Sequence, residues 1–184
     1  MKEYNVLDYI TADELKSFRK KLGMTQKEFA KLIGVSKPTL ERWETSDKRI
    51  TGPVVLLIDL LLEHDEWLET REIPTPKYSL RLWYMYNNKR CTLIDVDEIN
   101  QKIWVKNYAC NIMFRAFGAN NNPTYEDYEE FLKSRCFPET RDKMKIQLEA
   151  LGLPFYDPML IIEKTQGRMA EDDFWILIER VNNG

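Results

Sequence analysis

Residues 25–44 read TQKEFAKLIGVSKPTLERWE, and their spacing predicts two short helices around a tight turn. Thr25 stands as cap of the first helix with Glu28 three residues on. That spacing lets side chain and backbone satisfy each other's open hydrogen-bonding groups at a helix start. Gly34 closes the first helix where the turn needs a left-handed backbone, which glycine adopts without strain. Ser36 caps the second helix. Pro38 falls in its first turn, where the missing N–H costs nothing. Ala30 is small where two helices would cross closely, and Leu32, Val35 and Leu40 fall on the seam between them.

Charge singles out the same region. The chain of 184 residues carries 27 basic and 30 acidic side chains, a formal net charge of −3. A net acidic chain is not a footprint of nucleic-acid binding. Residues 14–49 nevertheless hold ten Lys/Arg against five Asp/Glu. Screening confines charge effects to about 10 Å, so a local basic patch can meet phosphates on an acidic protein.

The remaining composition narrows the class. Apolar residues at 43% and charged residues at 31% suit a soluble globular chain. The longest apolar run, residues 54–62, is too short to span a bilayer and is broken by Asp59. Residues 1–10 lack the apolar core of a signal peptide, so a cytoplasmic location without membrane association is expected. Cys91, Cys110 and Cys136 are odd in number and widely spaced, against a disulfide framework or a zinc site. The single histidine, His64, reads as a surface residue at a helix end. Neither metal nor cofactor is expected.

Along the chain the pattern changes once. Residues 11–70 read as helices only, four or five of them. ITADELKSFRKKLG puts Leu15, Phe18 and Leu22 on one face, with Thr11 or Asp13 as cap and Gly23 as terminator. GPVVLLIDLLLEHDEWLE opens on Gly52-Pro53 and stays apolar on most sides for three turns, so more than one face must be covered. Residues 71–77, with Pro74 and Pro76, read as a linker. From residue 78 to 184 the pattern is SLRLWYMY, a turn at NNKR, then CTLIDV, a turn at DEINQ and KIWVKNY, a meander of antiparallel strands. Helical patterns follow: Thr124 caps YEDYEEFLKSR with Asp127 three residues on, ETRDKMKIQLEALG stops at Gly152, and Asp157-Pro158 opens MLIIEKTQ. DFWILIER reads as a last strand. The expected fold class is α+β: an all-α N-terminal domain (1–70) and a C-terminal domain (78–184) with a small antiparallel sheet and about three helices.

The stretch MTQKEFAKLIGVSKPTLERWE, residues 24–44, resembles the helix-turn-helix of the phage-repressor-like XRE (Cro/C1-type) family. That resemblance implies double-stranded DNA as partner, a near-palindromic operator and a homodimer with its recognition helices about 34 Å apart. It assigns Gln26 to a phosphate contact and, often, to bracing a recognition side chain. Ser36, Lys37, Pro38, Thr39, Glu41 and Arg42 match positions facing the major groove. Arg42 can fork onto guanine. Lys37 reaches either a base or a phosphate. Pro38 offers only an apolar surface, and Glu41 either accepts from cytosine or faces solvent. Lys48 and Arg49 follow the helix and would meet phosphates. Arg19 and Glu44 match a structural pair of the family, and Trp43 reads as core. The segment 50–69 also resembles the last helices of MqsA- and HigA-type antitoxins, which form the dimer contact. That places Val54, Val55, Leu57, Ile58 and Leu61 at an interface; an intradomain core helix is the other reading, and apolar character on most sides leads one to expect both in part.

The second segment offers little chemistry. It has no Gly-rich phosphate loop and no histidine, and its acidic runs read as caps or solvated faces. Residues 131–176 resemble the N-terminal subdomain of HipA-like kinases. The resemblance rests on Arg135, Pro138, Arg141, Leu151-Gly152, Gly167, Asp172, Phe174, Trp175 and Ile176. The catalytic core of those kinases is absent, so no activity carries over. Arg135 and Arg141 either anchor a partner or bind acidic groups of their own domain. The resulting expectation is a non-enzymatic DNA-binding repressor, the antitoxin of a toxin–antitoxin system that regulates its own operon. Its C-terminal domain would bind a HipA-like kinase toxin. The alternative is a stand-alone regulator whose C-terminal domain senses a ligand or sets oligomeric state.

Overall fold

The computed structural model describes residues 5–64 and 66–181; residues 1–4, the start of the stretch read for a leader, lie outside them, as do Asp65 and residues 182–184. The chain divides into two compact units, Met1–Glu72 and Ile73–Gly184.

The first unit is helical: α1 (Ala12–Lys21), α2 (Gln26–Leu32), α3 (Lys37–Glu44), α4 (Pro53–Glu63) and α5 (Glu66–Arg71). The caps at Thr25 and Ser36 form as the sequence predicts, and of Thr11 and Asp13 it is Thr11 that caps α1. Thr11 closes a capping box with Glu14, Thr25 closes one with Glu28, and Ser36 Oγ accepts from the Thr39 N–H. Gly23 and Gly34 terminate their helices at φ +66° and +73°. The long apolar segment is interrupted: α4 ends at Glu63 with His64 as its C-cap, and α5 begins at Glu66. Leu15, Phe18, Phe29, Leu40, Val55 and Ile58 form the core. The edge of the Phe18 ring meets the Phe29 ring at 5.9 Å between centroids. No helix among the described residues is long and apolar enough to cross a membrane.

The second unit is α+β. Strands β1 (Leu80–Tyr86), β2 (Lys89–Asp97), β3 (Lys102–Asn107) and β4 (Phe174–Arg180) form a four-stranded sheet in the order β3-β2-β1-β4. Every pairing is antiparallel. The last strand therefore returns to the free edge of the first. Helices α6 (Tyr125–Ser134), α7 (Met144–Leu151) and α8 (Pro158–Thr165) pack on one face over Leu82, Tyr84, Ile94 and Ile176. The α7 segment is shorter than its sequence suggests. Lys143 takes a left-handed φ of +61°, and residues 139–142 turn instead of continuing the helix.

Residues 74–77, read above as linker, are held on the sheet. A buried carboxylate organises this end. Asp95 accepts from Arg81 Nε at 2.7 Å and Nη2 at 2.9 Å, and from the Lys77 N–H at 2.8 Å. Arg81 Nη1 donates to the Pro74 carbonyl at 3.0 Å. Both side chains are almost fully buried. Removing one member of a buried pair strands the other charge. Asp95→Ala should therefore destabilise the second unit by about 3–5 kcal/mol in denaturant titration. The double replacement Arg81→Met/Asp95→Leu should recover most of that loss.

Candidate nucleic-acid interface

Helices α2 and α3 meet through Ala30, only 2% exposed, and through Leu40, fully buried. The Val35 N–H bonds back to the Ala30 carbonyl at 2.9 Å, closing the turn at Gly34. Leu32, Val35 and Trp43 pack against the same core as half-buried residues. This seam sets which side of α3 faces water. Ser36, Lys37, Pro38 and Arg42 are exposed there, while Thr39 and Glu41 are half-buried.

The exposed groups are not equally available. The Lys37 ammonium donates to Glu41 at 2.5 Å, one helical turn apart. Glu41 is thus a partner of Lys37 rather than a lone solvent group, and a base or phosphate must compete with it for the ammonium. The hydroxyls of Ser36 and Thr39 are 2.8 Å apart and bond each other. Arg42 makes no ion pair with another described residue, so its guanidinium fork is open. A groove beside it is lined by Arg42, Trp43, Ser46, Lys48, Arg49 and Thr51. Its loop is fixed by a two-residue bridge, with Ile10 and Ile50 exchanging N–H···O bonds of 3.0 and 2.9 Å. The Arg49 guanidinium lies 4.0 Å from the centre of the Tyr9 ring. Sequence reasoning missed this brace. It pairs two single residues forty positions apart, and no local pattern announces such a contact.

At the inner end of α3, Glu44 is buried and accepts three bonds. Arg19 donates from Nε at 2.6 Å and Nη2 at 3.0 Å, and Gln26 donates from Nε2 at 2.8 Å. Arg19 Nη1 also caps the Met24 carbonyl at 2.9 Å. The hydrogen-bonded guanidinium outweighs burial and holds the Glu44 carboxyl below its ordinary value. The Gln26 amide thus reaches the structural residue Glu44 rather than a side chain on the outward face of α3.

Several of the residues expected at interfaces serve their own unit's fold. Val55, Ile58 and Leu61 are 2%, 1% and 5% exposed and fill the unit's own core, with Val54 and Leu57 packed beside them. The outward apolar residues of α4 are instead Leu56, Leu60 and Leu62. The helix must bury one stripe to close the domain, and the helical period carries the others outward. Arg135 likewise serves its own fold. It donates to both Asp172 oxygens, at 2.6 and 2.9 Å, and to the Gly167 and Phe174 carbonyls at 3.0 Å. Arg141 is exposed and lines a cleft with Arg168 and Phe137. All three cysteines are free, and burial pushes the Cys136 thiol up to about 12, far from thiolate chemistry.

The helix-turn-helix family model matches residues 15–63. Among curated proteins, the chain is similar to "Antitoxin HigA-2" of Vibrio cholerae serotype O1 (strain ATCC 39315 / El Tor Inaba N16961). The two are 37% identical over 59 residues, 32% of this chain and 57% of that protein. The chain thus spans just over half the length of the curated relative it matches.

Because the folded Glu44 pKa is depressed, its contribution is full above the unfolded value of about 4.3. That contribution is lost as pH falls through the lower folded value. Glu44→Gln should cost the helical unit about 3 kcal/mol at pH 7, by stranding Arg19. It should also flatten the fall in stability on acidification below about pH 4.5, read by circular dichroism during denaturant titration. The seam, the anchored α3 and the matched residues together identify the N-terminal region as a helix-turn-helix DNA-binding domain.

Proposed function

We propose that this protein is a sequence-specific transcriptional repressor and the antitoxin of a toxin–antitoxin system, binding its own operator as a homodimer. The observation that carries the reading is the outward face of α3, where Arg42 stands unpaired beside Lys48 and Arg49 on a braced loop. Arg42 reads guanine through its fork, a contact worth about 1–3 kcal/mol of base discrimination. Lys48 and Arg49 neutralise flanking phosphates. Lys37, clasped to Glu41, turns to DNA only by exchanging that partner. Ser36, Thr39 and Pro38 shape the rest of the face, and Gln26 steadies it from α2.

Leu56 and Leu60 supply a dimer contact, one turn apart and each close to half exposed. A two-fold axis there would present two α3 helices to successive major grooves. The similarity to an antitoxin supports a toxin as second partner. The resemblance of the second unit to the HipA N-terminal subdomain supports a kinase-like toxin. Arg141, on the exposed rim of its cleft, is the anchor on this chain. Toxin binding would raise operator affinity by adding valency.

The DNA reading is tested on fragments upstream of the gene. Arg42→Ala should abolish preference for the operator over random duplex. Lys48→Ala should weaken both alike and reduce the salt slope by about 0.9. Unchanged preference in Arg42→Ala would sink the assignment of the recognition helix. For the dimer, Leu56→Asp/Leu60→Asp should yield a monomer by analytical ultracentrifugation, with operator affinity falling at least tenfold (about 1.4 kcal/mol). For the toxin, the full chain should co-purify with the product of an adjacent gene. Absence of any such complex would remove the antitoxin assignment and leave the DNA reader standing.

A further inference from the structure

The sheet of the second unit has two unlike faces. One is covered by α6, α7 and α8. Residues of the other follow from the register. Trp104 stands opposite Asp95 and Lys106 opposite Leu93; Leu93 and Leu177 flank Trp83; Met85 stands opposite Trp175 and Arg90. Side chains alternate across a strand, so these residues share one surface. Their apolar cluster contains no helix residue among those described. A sheet face without a packed layer normally carries polar side chains, whereas here Trp83, Met85 and Leu93 are buried apolar residues. This one holds three of the chain's five tryptophans.

A cation lies over each ring. Lys77 Nζ is 4.3 Å from the centre of Trp104, Arg90 Cζ 4.5 Å from Trp83, Arg168 Cζ 4.8 Å from Trp175 and Lys106 Nζ 5.3 Å from Tyr108. Lys77, Arg90 and Arg168 are exposed and form no salt bridge with another described residue. Resting on rings restricts their rotamers before any ligand arrives, which lowers the entropic cost of binding. The carboxylates of this face do not neutralise them. Asp95 is committed to Arg81, while Asp97 and Glu179 lie at the strand ends remote from Arg90. Beneath the cations, Trp83 is 1% exposed and its Nε1–H has no hydrogen-bond partner among the described residues. Trp104, Trp175 and Leu177 remain partly exposed at the outer strands.

We propose that this cation-bearing aromatic face is a second nucleic-acid contact, taking the phosphodiester backbone apart from the helix-turn-helix. The cations are placed for phosphates. The half-exposed indoles suit the flat faces of sugars and bases, as on stacking platforms for single strands. An acidic protein segment would answer the charges and leave the indoles without a planar partner. The inference goes beyond operator reading by α3 and stands or falls separately from it.

The test uses the full chain, with a random-sequence duplex and a single strand of the same length, by fluorescence anisotropy across a salt series. Arg90→Gln/Arg168→Gln should reduce the slope of log K against log salt by about 1.8 on duplex, or about 1.4 on single strand. The strand showing the larger loss is the natural occupant. Arg90→Lys/Arg168→Lys should keep the wild-type slope, separating charge contact from loss of packing. Unchanged slopes on both probes in the Gln variant overturn the proposal while leaving α3 untouched, as does equal loss in the Lys variant. Polyglutamate competing as well as the single strand at equal charge assigns the face to acidic protein and overturns it too. Failure of wild-type protein to bind either probe refutes both this contact and the DNA reading.

Discussion

The carboxylate of Glu44 fixes the direction in which α3, the second helix of the helix-turn-helix, points. Helix α3 has eight residues, too few to persist alone in water. Its geometry is imposed by Leu40 and Trp43 on one side and by Glu44 at its end. Glu44 takes bonds from α1 through Arg19 and from α2 through Gln26. One buried group therefore ties three helices. Because the site is shielded from water, each of those bonds is stronger than at the surface, and an unpaired Arg19 there would be costly. Arg42, Lys37 and the groove beside them inherit their orientation from this tie.

The second unit repeats the device on both sides of its sheet. Arg81 and Asp95 fasten residues 74–77 across the helix-free face. On the other side Arg135 joins the end of α6 to Asp172 and to the start of β4. Gly167 is forced by the same junction. It holds φ +59°, and an added Cβ would lie 3.2 Å from Ile176 Cδ1 and 3.3 Å from Arg135 Cβ. The motif residues Arg135, Gly167, Asp172 and Ile176 thus form one packing knot. Arg141 stays outside this knot, exposed on the cleft it lines with Phe137 and Arg168.

Local signals were legible where the physics is local. Caps at Thr25, Ser36 and Thr124, the glycines that end helices and the β-favouring composition of β1 to β3 all involve residues a few positions apart. Sequence reading stopped where contacts join distant positions. The Ile10–Ile50 bridge, the Tyr9–Arg49 stack and the Asp95 fork have no periodic signature. The apolar segment 53–63 shows the limit most clearly. Its composition says that several stripes are covered. Which leucine meets the core and which meets solvent depends on where α1 and α2 lie against it, and this moved the candidate dimer face from Val55, Ile58 and Leu61 to Leu56 and Leu60.

By itself the sequence determined the helix-turn-helix, its caps and turn, the α+β character of the second unit and the identity of the basic groups near α3. Those follow from backbone propensity and side-chain period, which act within a turn or a strand. Only the tertiary structure decided which charges are free. Arg135 and Arg42 are the same residue type, yet one is buried against Asp172 and two carbonyls while the other stands open to a ligand. The same holds for Lys37, held by Glu41, and for the cations laid on the tryptophans of the helix-free sheet face. Availability of a charge is set by what lies within a few ångströms in space, and sequence distance does not encode it.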